Sequence, residues 1–270
     1  MNPPPERLGI IAGNGAYPRL LADSARAAGV KYIAAASFRN ETDERLTPKV
    51  EKIEWLRVGQ LGRLISFFVE QDVHHAIMAG QIAPRNLFDL RPDWKALLIL
   101  ARMKERNAET IFAAIADELR KNNIELLSAI TYLEKYVAAK GLIAGPKLSR
   151  RQEEDIEFGW KIAREVARLD IGQTVVVKNG TVLAVEGFDG TNETVKRGGK
   201  LAGKGAAVIK VAKPNQDMRF DVPVIGPETV RIAAEANIRL IAVEAGRTLL
   251  LDKEEALDHA QRAGMSIVGR

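Results

Sequence analysis

Two rhythms of apolar residues alternate along the chain: short unbroken runs, and longer stretches with helical spacing. Leu8 to Ala12 is a run of the buried-strand kind, followed by Gly13-Asn14-Gly15 and by Pro18 where a first helical turn tolerates proline. Leu21, Ala25 and Ala28 then share one helical face, Gly29 closes the helix, and Tyr32 to Ala36 is a second apolar strand. This opening predicts a βαβ unit with parallel strands. Ile53 to Val58 is a weaker strand, and Leu61, Leu64, Ile65, Phe68 and Val69 repeat with the spacing of a strongly amphipathic helix. Ala76 to Ala79 predicts another strand, ending at Gly80-Gln81. A loop around Pro84 and Pro92 then leads into helices, one of them marked by Ile111, Ile115 and Leu119.

From Gly141 to Ser149 the pattern breaks into glycine, proline and short polar stretches, which predicts a linker. The expected organisation is a first domain over 1–140, a linker over 141–148 and a second domain over 149–270. The second opens with Ser149 and Gln152, a capping-box pair, before Ile156, Trp160, Ala163 and Ala167 line a helix face. Thr174 to Lys178 and Thr181 to Glu186 flank Asn179-Gly180, a hairpin signal, because both central turn positions need positive φ. Ala206 to Val211, Leu240 to Val243 and Thr248 to Leu251 are further strands. Helices are expected near Glu228 to Asn237 and Lys253 to Ala263, the last capped by Asp252 with Glu255. The fold class is α/β, with a parallel-sheet N-terminal domain and a second α/β domain of mixed sheet.

Composition narrows the chemistry. The chain has 270 residues, enough for two cores, with 46% hydrophobic and 28% charged residues, the balance of globular domains. With no cysteine, disulfides, thiolate nucleophiles and cysteine metal sites are excluded. The N-terminal Pro-rich tail lacks the apolar core of a secretory signal and no run reaches membrane-span length, so the expected location is cytoplasmic. A net charge of +5 from dispersed basic residues suits a phosphate-bearing small molecule better than nucleic acid, and a solvated basic surface is an equal reading.

Several groups could carry chemistry. Gly13-Asn14-Gly15 joins a strand to a helix, where backbone N–H groups can hold a phosphate, although a tight turn needing glycine for geometry alone is the commoner meaning of so short a motif. Pro18 stands where a dinucleotide fingerprint needs its third glycine, so no nicotinamide or flavin is expected. Glu186-Gly-Phe-Asp-Gly-Thr-Asn192 puts Glu186 and Asp189 in a Gly-rich loop at a strand end, where carboxylates can bind a metal. Lys213 to Pro223 packs two carboxylates, a lysine, an arginine and amides into an irregular stretch, the mixture phosphoanhydride hydrolysis uses: oxygen ligands for Mg²⁺ and a cation for the phosphoryl oxygens. Asp221 is the first candidate for ligand or base; for any single aspartate here, turn capping or pairing with a nearby cation competes. His74, His75 and His259 lack zinc spacing, and no nucleophile elbow surrounds Ser24, Ser37 or Ser66. Trp94, Leu97, Leu98, Ile99, Leu100 and Met103 form a helix apolar nearly all round, read as core crossing ahead of an acyl pocket. Lys196, Arg197, Lys200 and Lys204 are a glycine-spaced basic stretch, either a solvated loop or a diphosphate clamp.

Leu8-Gly-Ile-Ile-Ala-Gly-Asn-Gly15 with Pro18, Asp155-Ile-Glu-Phe-Gly159, Leu169-Asp-Ile-Gly-Gln173, Val182-Leu-Ala-Val-Glu186 with Gly190-Thr191, Lys213-Pro-Asn-Gln216 and Asp221-Val-Pro-Val-Ile-Gly226 resemble the LpxI-type UDP-2,3-diacylglucosamine pyrophosphatases over nearly the whole chain. The resemblance implies a Rossmann-like N-terminal domain, a distinct C-terminal α/β domain and a substrate held between them. It implies hydrolysis of UDP-2,3-diacylglucosamine to UMP and 2,3-diacylglucosamine 1-phosphate in lipid A biosynthesis, with Mg²⁺ as cofactor. It also implies a homodimer, with peripheral contact at the inner membrane as a further expectation. The family's essential aspartate matches Asp221, whereas Asn192 stands where the family often has an acid. The expected site is thus Asp221 and Lys213 for catalysis and Asp221 with Asp189 for the metal. Gly13, Asn14, Gly15, Gly80, Gln81, Asp189, Gly190, Thr191, Asn192, Gln216 and Thr229 are the expected substrate contacts. Two rivals stand beside it: a nucleotide-dependent oxidoreductase with Arg39 or Glu41 reading a ribose, testable by NAD(P)H fluorescence quenching, and a nucleotide-binding protein without turnover.

Overall fold

A computed structural model describes residues 3–82, 92–103, 108–214 and 216–270. The expected loop at Pro84 and the motif residue Asn215 lie outside them. The chain forms two compact units: Met1–Leu133 together with Asp217–Asp221, and Glu134–Gln216 together with Val222–Arg270.

The first unit contains β1 (Arg7–Ala12), α1 (Tyr17–Ala27), β2 (Tyr32–Phe38), β3 (Lys52–Leu56), α2 (Leu61–Glu70), β4 (His75–Ala79), α3 (Trp94–Arg102), α4 (Ala108–Lys121) and β5 (Glu125–Leu126). Its five strands are all parallel in the order β3-β2-β1-β4-β5, so the winding reverses between β1 and β4. Strands buried on both faces read as continuous apolar runs, which is why β1 and β2 were legible. Ala34 and Ala36 of β2 pack with Leu64, Phe68 and Leu119 from α2 and α4 in one core.

The expectation that the Trp94 helix crosses the core is corrected. Asp93 caps α3 by accepting from the Ala96 N–H (3.0 Å) and also takes the Gly62 N–H (2.6 Å), which fixes the helix beside the start of α2. Ala96 and Ile99 face the core, while Trp94 is 75% exposed and Leu97 and Leu98 are exposed with it.

The second unit contains β6 (Gly141–Ala144), α5 (Arg150–Arg168), β7 (Thr174–Lys178), β8 (Thr181–Val185), α6 (Gly190–Ala202), β9 (Ala207–Lys210), β10 (Val224–Ile225), α7 (Pro227–Glu235), β11 (Leu240–Val243), β12 (Leu249–Leu250), α8 (Lys253–Arg262) and β13 (Ser266–Gly269). Its six-stranded sheet runs β6-β13-β11-β9-β7-β8, parallel through β13, β11 and β9 and antiparallel elsewhere, and β10 pairs with β12 separately. Val175, Val177 and Ile209 face α5, and Val176, Val208 and Ile241 face the core shared with α6, α7 and α8, the period-two alternation of strands covered on both sides.

Ser149 and Gln152 form the expected capping box at α5, and Asn179 and Gly180 take φ of 51° and 70° in the hairpin turn. Asp155 on α5 accepts both turn N–H groups, from Asn179 (3.0 Å) and Gly180 (2.8 Å). Three expectations differ. Residues 141–144 of the expected linker form edge strand β6, paired to β13. Glycines at positive φ, Gly141 as its first residue and Gly145 just after it, made this short strand look like loop. Asp252 precedes α8 in a left-handed conformation and makes no side-chain cap. The basic stretch around Lys200 is helix, not loop: Gly198 and Gly199 let α6 press close, and a Cβ there would lie 2.5 Å from Val176 and Ala236.

Candidate active site

In the first unit, the Gly13-Asn14-Gly15 loop and Gly80-Gln81 follow β1 and β4, at the carboxyl ends of the strands where the sheet reverses, the usual place for a ligand in such sheets. The two loops are tied backbone to backbone: the Gly13 N–H donates to Ala79 (2.8 Å) and the Asn14 N–H to Gln81 (2.8 Å). A Cβ on Gly13 would sit 2.5 Å from the Gln81 carbonyl oxygen and one on Gly80 2.5 Å from that of Asn14, so glycine is required at both for close approach. These bonds spend two of the N–H groups expected to cradle a phosphate. Asn14 Nδ2 donates instead to the Glu41 carboxylate (3.1 Å). Glu41 is held there by the turn after β2, where the Thr42 hydroxyl accepts from Phe38 N–H and donates to the Ala12 carbonyl.

Asp221 belongs with this first unit, although it lies far along the chain. The Met218 carbonyl accepts from the Ala129 N–H (2.7 Å) and the Ser128 hydroxyl (3.3 Å). Phe220 stacks on Phe112 with ring centres 5.3 Å apart, and Asp217 pairs with Arg219 (2.6 Å), which holds the Asp217 carboxyl below the usual carboxylate range. Between these anchors and strand β10, Asp221 is half-buried, and its carboxylate takes no hydrogen bond or ion pair among the described residues. A carboxylate presented this way has both oxygens available to a cation or water.

In the second unit, β8 ends at Glu186, and Asp189 precedes α6. Glu186, 8% exposed, accepts from the Thr191 hydroxyl (2.7 Å) and the Gln173 N–H (3.2 Å). Lys210, at the end of β9 and 5% exposed, donates to the same Thr191 hydroxyl (2.7 Å) and approaches that of Thr174 (3.4 Å). Burial pushes the Glu186 carboxyl up, but the Lys210 charge and the hydrogen bonds outweigh it and hold the group below the ordinary range. Thr191 therefore spends its hydroxyl proton on Glu186, and its backbone N–H in the first turn of α6 is what it can offer a ligand. Asn192 accepts from the Thr229 hydroxyl (3.1 Å), tying the first turns of α6 and α7 together. Neither helix has a side-chain cap, so both present unsatisfied N–H groups.

Asp189 accepts from the Gly187 N–H (3.1 Å) and pairs with Arg197, which holds its carboxyl below the usual range and also binds the Val185 carbonyl. Binding a metal there would break that pair. Lys213 pairs with Asp170, and its N–H donates to Gln216 Oε1 (2.8 Å). Gln216 is buried, and its Nε2 donor has no partner among the described residues. Lys210 and Thr174 were not singled out by sequence; a lysine inside the apolar run from Ala206 to Val211 was the available signal. Among the described residues no group of three or more carboxylate or imidazole side chains forms a metal cage, and no helix is long and apolar enough to cross a membrane.

The profile of the LpxI N-terminal domain matches residues 7–136 and that of the LpxI C-terminal domain matches residues 139–268. The UDP-2,3-diacylglucosamine pyrophosphatase LpxI of Caulobacter vibrioides is 30% identical over 276 residues, spanning 97% of each chain. Matched along both halves and nearly end to end, the chain belongs to the LpxI family.

Proposed function

We propose that this protein hydrolyses the diphosphate of UDP-2,3-diacylglucosamine, releasing UMP and 2,3-diacylglucosamine 1-phosphate, a step of lipid A assembly. The end-to-end match to a relative bearing that activity in its name carries the reading. Each unit, taken by itself, carries groups that suit it. Asp221 offers an uncommitted carboxylate, and the unsatisfied N–H groups of α6 and α7, with Lys213, suit phosphoryl oxygens.

Mg²⁺ is the proposed cofactor, and Asp221 fits it, because Mg²⁺ commonly uses one or two carboxylates and completes its shell with substrate phosphate and water. Asp189 fits less well, being paired with Arg197. When bound, the cation would neutralise the diphosphate and acidify an attacking water. Asp221 would hold that water by accepting its proton at a carboxylate oxygen. Lys213, released from Asp170, would balance charge growing on the phosphoryl oxygens. A cytoplasmic homodimer in peripheral contact with the inner membrane belongs to the same reading. The exposed Trp94, Leu97 and Leu98 favour the membrane contact, and the general prevalence of two-fold oligomers favours the dimer.

The test is UMP release from UDP-2,3-diacylglucosamine by wild type and Asp221→Ala, each with Mg²⁺ or chelator. Release by wild type with metal alone is expected. No release in any arm would overturn the activity, release with chelator the cofactor, and near-normal turnover by the variant the role of Asp221.

A further inference from the structure

Glu244 follows β11 at the carboxyl end of the parallel strands of the second sheet, is 8% exposed, and has no part in the chemistry above. A buried carboxylate is costly unless charge and hydrogen bonds compensate, so its partners show what it is kept for. One oxygen, Oε2, accepts the Ala212 N–H (2.9 Å). The other, Oε1, meets Arg164 (3.3 Å) and Arg247 (3.7 Å). The turn after β11 closes on Glu244 itself, whose carbonyl accepts from the Thr248 N–H (3.1 Å), and this brings Arg247 back to the carboxylate.

Ala212 is where the chain leaves β9 for the loop that carries Lys213. The Val211 N–H still donates across to Gln173, beside β7 (2.9 Å), whereas the Ala212 N–H goes to the Glu244 carboxylate. The Lys213 N–H donates to Gln216 Oε1 (2.8 Å), and the Lys213 carbonyl accepts from the Gln216 N–H (3.2 Å) and from Arg247 Nη2 (3.4 Å). Glu244 thus holds the backbone under the Lys213 side chain by two routes, directly at Ala212 and through Arg247 at Lys213. An ammonium on a flexible four-carbon stem is aimed only as well as that backbone is held. We infer that Glu244 is a positioning residue for Lys213, fixing the loop from which the ammonium reaches the phosphoryl oxygens, with Arg247 as its second grip. This rests on the proposed function for the role of Lys213.

The test is UMP release from UDP-2,3-diacylglucosamine with Mg²⁺, in steady state and in single turnover with enzyme in excess. It compares wild type, Glu244→Ala, Lys213→Ala and the double variant, with circular dichroism and melting temperature showing that each is folded at the assay temperature. Glu244→Ala should lower kcat about 10- to 100-fold with KM within about threefold, the loss that follows when a reacting group is misplaced by about 1 Å. In the Lys213→Ala background the same change should cost less than about twofold, because residues that act as a unit are not additive. An unchanged kcat in Glu244→Ala, a rise in KM as its main effect, or an equal fall in both backgrounds would overturn the inference. Arg247→Met leaves the Glu244–Ala212 bond in place, so if Glu244→Ala does not fold it takes the same comparison, with a fall of about 3- to 10-fold expected and the same results overturning the inference. No release by wild type would overturn the proposed activity and the inference together. Release by wild type that is insensitive to Lys213→Ala or to Glu244→Ala would retain the activity and remove only the positioning role.

Discussion

Replacing Lys210 by methionine keeps most of the side-chain volume in the second unit and removes the charge that offsets Glu186. Both residues are more than nine-tenths buried, so the carboxylate left behind cannot recover its hydration. Leaving one member of such a pair unpaired costs about 3–5 kcal/mol. Glu186 has an alternative, which is to take up a proton. From an ordinary value of 4.5, that costs about 3.4 kcal/mol at pH 7 and about 0.7 kcal/mol at pH 5. The loss in Lys210→Met should therefore be about 3 kcal/mol at pH 7 and under about 1 kcal/mol at pH 5. The signs are opposite in the two proteins. In wild type the Glu186 pKa is depressed, so its contribution is present above 4.5 and is lost as pH falls through the folded value. In the variant the largest influence opposing burial is gone and only the hydrogen bonds remain, so the pKa rises and stability should decline as pH climbs above 4.5. Urea unfolding at the two pH values measures this. Adding Glu186→Gln to the variant should recover most of the loss at pH 7 and flatten the pH dependence. An equal loss at both pH values, or no recovery in the double variant, would refute the electrostatic argument and leave packing as the cause.

Phe220→Ala should loosen the segment that presents Asp221: with the stacking on Phe112 gone, stability should drop by about 1–3 kcal/mol and kcat for UMP release should fall more than tenfold with KM little changed, readable from steady-state kinetics and a melt. Gly198→Ala should cost about 1–3 kcal/mol by denaturant unfolding, because its Cβ would meet Val176 at 2.5 Å and α6 would have to move off the sheet.

Much of the first sheet was legible because its central strands are buried on both faces and appear as plain apolar runs bounded by glycine. The Asn179-Gly180 hairpin and the Ser149 capping box were legible for a related reason, since each depends on residues within a few positions of one another. β6 and β13 were not, because a short strand is stabilised by the neighbour it pairs with, and that neighbour is distant in sequence. The Trp94 helix was misread because spacing records which residues are apolar and not which face finds a partner.

The candidate site divides in the same way. Residue identity and local motif singled out Asp221, Lys213 and the Gly-Thr-Asn loop, since the chemistry of carboxylate, ammonium and backbone N–H belongs to the residues themselves. Only the tertiary structure decided how they are used. It set Asp221 on the N-terminal unit, committed Asp189 to Arg197, placed Lys210 and Glu186 on either side of Thr191, and brought Glu41 to Asn14. Hydrogen bonds act over about 3 Å and screened charge interactions over about 10 Å, so they are fixed by which strand ends and helix starts meet in space, and the order of residues along the chain does not contain that.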